Sequence, residues 1–150
     1  MDIFVVDQSF VDAHLTKATL ADAFDCARIS VVHDGVDALA FLRQQGAYRT
    51  APRPDLIVLD LHLSRLTGLN LLCALKTSPA LRHIPVVVLT NADLDADQQT
   101  AYELGAHYYL DKPREPQAYR MVGHAIAELW QRGLLRPGTR PPWLAPDVGI

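Results

Sequence analysis

Two cysteines in 150 residues cannot build a disulfide framework, and Cys26 and Cys73 stand at no metal-ligand spacing. Both read as small core residues of a reducing compartment, Cys73 in an apolar helix-like stretch and Cys26 just before a strand. The net charge is only -3, which gives no general attraction to nucleic acid or to an anionic membrane. No apolar run approaches the roughly 18 residues of a membrane span. The N-terminus enters a strand with no basic segment and no signal-peptide pattern. These absences predict a soluble, cytoplasmic protein without a nucleic-acid or membrane partner. His14, His33, His83, His107 and His124 are scattered without ligand spacing and are expected on the surface. There is no internal repeat.

What the chain does have is a set of short apolar runs that each end in a polar residue. Leu56-Ile57-Val58-Leu59 ends at Asp60, Ile3-Phe4-Val5-Val6 at Asp7 and Val86-Val87-Val88-Leu89 at Thr90, while Lys112 stands just past Tyr108-Tyr109-Leu110. Runs of this length between turn residues read as strands buried on both faces. Their carboxyl ends form the rim where open α/β sheets bind ligands. One polar residue there means little; two acids, a hydroxyl and an amine at four strand ends form a constellation.

Helix-like segments lie between the strands. Val11, Leu15, Ala18, Ala21 and Phe24 recur at three- and four-residue spacing and predict an amphipathic first helix. Asp34-Gly35 ends a strand over 29–32, and Val36, Leu39 and Leu42 carry a second helix to near Gly46. A third runs from Leu69 to Lys76, a weakly apolar fourth from Asp95 to Leu104 with Gly105 as its cap, and Tyr119, Val122, Ile126 and Leu129 mark a fifth. Five strands alternating with five helices predict a doubly wound parallel α/β sheet over residues 1–131. Residues 132–150, rich in proline and glycine, read as a tail too short to build a second core.

Taken together, Val5-Val6-Asp7, Asp34-Gly35, Pro54 to Asp60, Gly68, Pro85 to Thr90, Gly105-Ala106 and Lys112-Pro113 resemble the receiver domain of two-component response regulators. The loop Gly46 to Pro54, the stretch Ser78 to Pro85 and the ending Leu129-Trp130 with Pro141-Pro142 are most similar to the single-domain regulators that partner bacterial and cyanobacterial phytochromes. The resemblance implies a flavodoxin-like (CheY-like) five-stranded sheet in the order 2-1-3-4-5. It implies a phosphoryl switch, not an enzyme acting on an outside substrate. A sensor histidine kinase, here a bacteriophytochrome, would phosphorylate Asp60; Thr90 and Lys112 would contact the phosphoryl oxygens; Tyr109 would be the aromatic switch. Mg²⁺ would be held by Asp7, Asp60 and the backbone carbonyl of His62. The bond before Pro113 would be cis. Assembly would be a homodimer through the fourth helix, fifth strand and fifth helix, with the tail as its arm.

Some positions depart from that family pattern. Gln8 stands where a second acid is usual, so it could offer an amide oxygen but no charge, and the metal site is expected to be weak. Asn91 replaces a very small residue and Ser64 a common proline. These departures leave a second reading open: a pseudo-receiver of the same fold that acts as a dimerisation or interaction module without phosphate. Haloacid-dehalogenase-like phosphatases want a second aspartate where His62 stands, and Gln8-Ser9-Phe10-Val11 is no phosphate-binding loop for a flavodoxin-type cofactor.

Overall fold

The computed structural model describes residues 1–91 and 95–135, with the backbone alone at 95 and 96. Strands β1 (Asp2–Val6), β2 (Arg28–Val32), β3 (Leu56–Leu59), β4 (Val86–Thr90) and β5 (Tyr108–Asp111) alternate with helices α1 (Phe10–Ala23), α2 (Gly35–Leu42), α3 (Gly68–Thr77), α4 (Asp95–Glu103) and α5 (Tyr119–Gln131). All strand pairs are parallel and the order is β2-β1-β3-β4-β5. The order follows from the apolar runs: β1, β3 and β4 are almost wholly buried and take the centre, while β2 and β5 carry half-exposed residues and form the edges.

Each face of the sheet has its own core. Phe4, Val6, Ile57, Leu59, Val86 and Val88 point toward α2, α3 and α4, where Phe41, Leu42, Leu71, Leu72, Leu75 and Ala101 meet them. Ile3, Val5, Leu56, Val58, Val87 and Leu89 point toward α1 and α5, where Leu20, Val122 and Ile126 meet them. Each fully buried Leu or Ile contributes about 1.5–3 kcal/mol, so the fold rests on this alternation along β1, β3 and β4. Caps fix the helix starts: Ser9, Asp34 and Thr67 accept hydrogen bonds from the backbone nitrogens of Asp12, Asp37 and Asn70.

The buried stripe of α1 differs from the expected one. Val11, Ala18 and Ala21 face solvent, and Ala13, Thr16, Thr19 and Leu20 face inward. The reason is α5. A Cβ at Gly123 would lie 2.4 Å from both the carbonyl oxygen and Oγ1 of Thr19, so these helices meet almost backbone to backbone. The Thr19 hydroxyl sits between them, accepting from the Gly123 amide at 3.2 Å and donating to the Arg120 carbonyl at 3.3 Å. Small residues, not large apolar ones, make that contact.

Other expectations also change. Cys26 and Cys73 are exposed: Cys73 lies on the face of α3 opposite Leu71, Leu72 and Leu75, and Cys26 lies in the turn before β2. His107 is buried, its ring set against the Val86 amide while its own amide donates to the Val86 carbonyl. After α5 the chain continues through residues 132–135, and Leu135 is buried against the α1–α5 core. The remainder of the tail, including Pro141-Pro142, lies outside the described residues.

Candidate functional site

The parallel register sets the site. Val6 pairs with Leu59 and Leu59 with Val88, so the chains leave β1, β3 and β4 side by side at their carboxyl ends. Asp7 and Asp60 are the next residues; the Asp60 amide donates to the Val6 carbonyl at 2.9 Å. Thr90 ends β4, and the Lys112 amide donates to its carbonyl at 3.0 Å. Gly68 closes the far side. A Cβ there would lie 2.4 Å from the Leu61 Cα and 2.6 Å from the Asp60 carbonyl, so glycine lets α3 begin directly against the Asp60 loop.

Asp7, Asp60, Thr90 and Lys112 come together and are buried, each no more than 8% exposed. The Lys112 ammonium is 3.0 Å from a carboxylate oxygen of Asp7, 3.0 Å from Asp60 Oδ2 and 3.0 Å from Asp12 Oδ2. The Thr90 hydroxyl donates to Asp60 Oδ1 at 2.7 Å, and the His62 amide donates to the same oxygen at 3.0 Å. Asp7 Oδ1 accepts from the Ser9 amide at 2.9 Å. Burial acts oppositely on the two charge types. It pushes the Asp7 carboxyl up to about 6, against the opposing pull of Lys112. It disfavours the Lys112 ammonium as well, yet hydrogen bonds to Asp7 and Asp12 and the charge of Asp60 overcome this and hold its pKa above the usual lysine range.

The other expected residues lie at the margin. Gln8 is exposed and lines a cleft of about 440 Å³ with Phe10, His33 and Ser64. The His62 side chain is exposed and only its backbone faces Asp60. The Tyr109 ring packs on Tyr102, 6.4 Å between centroids, with its hydroxyl buried and without a hydrogen-bond partner among the described residues. Burial first, then the charge of Asp111, pushes that hydroxyl up to about 12. The Lys112–Pro113 peptide is trans, contrary to expectation; Lys112 is oriented by its three carboxylate partners instead.

Asp12 is the residue that strand ends do not reveal. It lies on α1, three residues after the Ser9 cap. Helical side chains lean back toward their N-terminus, and α1 begins beside the site. An acid in the first turn after Asp7 was the available signal.

The carboxylate oxygens of Asp7 and Asp60 are the kind of donor that suits a hard divalent cation. Three carboxylates face one ammonium, which leaves negative charge for a cation to offset. Among the described residues no three His, Cys, Asp or Glu side chains form a cage by themselves, so such a cation would draw on backbone and water.

Residues 3–122 match the model of the response regulator receiver domain. The chain is 36% identical to response regulator Rcp1 of Synechocystis sp. over 91% of its own length and 93% of that protein's. It superposes on the phosphorylated cyanobacterial phytochrome response regulator RcpA with a TM-score of 0.82 and 35% identity, covering 88% of this chain and 94% of that one. The Mn²⁺-bound form of Rcp1 gives the same score and identity, over 91% and 98%. With an acid, an acid, a hydroxyl and an amine converging at the rim of a 2-1-3-4-5 sheet, this chain belongs to the family of response regulator receiver domains.

Proposed function

We propose that this receiver takes a phosphoryl group on Asp60 from the phosphohistidine of a sensor kinase. A carboxylate oxygen of Asp60 attacks phosphorus; the new P–O bond forms as the P–N bond breaks, and the leaving imidazole nitrogen takes up a proton. The observation that carries this reading is the polar contact of Asp60 with both Lys112 and Thr90 inside a buried pocket. A hydroxyl donor and an ammonium are the groups needed to receive the charge of a phosphoryl oxygen. Asp7, Asp60 and the His62 carbonyl would hold Mg²⁺, which when bound supplies positive charge against the transferred group. The protein is a phosphoacceptor switch whose own chemistry ends at transfer and hydrolysis. Mg²⁺-dependent labelling by acetyl phosphate tests this reading, and a chain that stays unlabelled at millimolar Mg²⁺ would refute it.

The similarity to phytochrome regulators supports a bacteriophytochrome-type kinase as partner and a cytoplasmic setting. Among the described residues no helix is long and apolar enough to cross a membrane. We also infer a symmetric homodimer through α4, β5 and α5, with the tail beyond Leu135 as its arm. Because Leu135 is a core residue, the truncation that isolates the arm is one after Leu135. Removing 136–150 should shift the protein from dimer toward monomer in sedimentation at micromolar concentration; a full-length chain already monomeric there would refute the dimer.

A further inference from the structure

Gln8 leaves the acceptor site one acid short of the family pattern, and Asp12 stands close enough to fill the gap. Its Oδ2 lies 3.0 Å from the Lys112 ammonium, which also touches Asp7 and Asp60. Three carboxylates around one ammonium leave two negative charges, the number a divalent cation cancels. With Asp7 and Asp60 alone, the same cation would overfill the site.

We propose that Asp12 is the third carboxylate of this site: it supplies from the first turn of α1 the charge that Gln8 does not, and it holds Lys112 until a phosphoryl group arrives. The proposal rests on the phosphoacceptor reading of Asp60. Asp12 acts here through charge and through Lys112, as a positioning residue and not as a metal ligand.

Two further observations fit this role. An ammonium has three hydrogens to donate, and Lys112 spends them on three carboxylates, so an incoming phosphoryl oxygen must displace one. The Asp12 side chain is 28% exposed, against 3% for Asp7 and 5% for Asp60. It is the carboxylate that water can most readily resolvate, and hence the one to release.

The plainer reading makes Asp12 a helix-start residue. Its amide donates to Ser9 Oγ at 3.1 Å, and an acid in the first turn favours the helix dipole. Moving the charge separates the two. In calorimetric titration with Mg²⁺, Asp12→Asn should weaken binding about tenfold with little change in thermal midpoint, and Asp12→Glu should retain most of the affinity. Adding Gln8→Asp to Asp12→Asn should bring affinity back to at least the wild-type value, which no capping role would do. An Asp12→Asn protein that binds Mg²⁺ like wild type, or a double variant as weak as the single one, overturns the proposal and leaves Asp60 as acceptor. A wild-type protein that neither binds Mg²⁺ nor labels with acetyl phosphate overturns both.

Discussion

The Thr90 hydroxyl donates to Asp60 Oδ1 at 2.7 Å, so the proposed acceptor carboxylate is tied to the end of the neighbouring strand. Phosphorylation of Asp60 would have to trade this bond for one to a phosphoryl oxygen. Asp60→Asn keeps the shape and the Thr90 contact but removes the nucleophile. Labelling by acetyl phosphate or by a kinase should fall to background in that variant, as read by phosphate-affinity electrophoresis or intact mass. Labelling at the wild-type level would place the acceptor elsewhere.

Lys112→Ala should expose the charge conflict at the site. Removing the ammonium leaves Asp7 and Asp60 buried without their cation, a change that costs about 3 kcal/mol in such settings. Urea unfolding without metal should show the loss. Millimolar Mg²⁺ should recover much of it, because a cation bound only by the folded state stabilises that state. Equal midpoints for variant and wild type in metal-free buffer would contradict the electrostatic account.

Gln8→Asp, alone, should tighten Mg²⁺ binding by about tenfold, since ligand charge tunes hard-cation sites. Calorimetry gives the constant directly. An unchanged constant would mean that position 8, exposed at the cleft mouth, does not reach the cation.

Gly123→Ala tests the α1–α5 contact, far from the chemistry. The added methyl would meet the carbonyl oxygen and Oγ1 of Thr19, each at 2.4 Å, and the backbone oxygen cannot yield by a rotamer change. Overpacking of this kind costs about 1–3 kcal/mol. Thermal unfolding should show a clear drop, with Mg²⁺ affinity little affected; a midpoint within experimental error of wild type would show that the helices can separate freely.

The sequence made the central strands legible because each is a run of apolar residues closed by a polar one, and parallel strands align those closing residues without further information. Asp7, Asp60, Thr90 and Lys112 could be grouped for that reason. Asp12 could not, because its place depends on how α1 leaves the site and which way a first-turn side chain leans. The buried stripe of α1 departs from its apolar periodicity because threonine and alanine carry much of the buried face, where close helix approach outweighs apolar size. Cys73 and His107 show the converse: a residue's type sets a tendency, while its angle around a helix or its place beside a strand sets its burial. The trans bond before Pro113 could not be read from the sequence, since either isomer is within about 1 kcal/mol for a proline bond.

The Thr19–Gly123 junction has a mechanical meaning too. Helices separated by long side chains can slide by changing rotamers; here only the Thr19 hydroxyl lies at the junction, and it is bonded to α5 on both sides. α1 and α5 should therefore travel as a single stiff plate over one side of the sheet. Asp12 lies near one end of that plate and Tyr119 begins its other helix, so a small displacement at the acceptor would tilt both helices together. On the opposite face, Phe41, Leu42, Leu71, Leu72 and Leu75 fill the space against the sheet, and repacking of these side chains can absorb the same displacement.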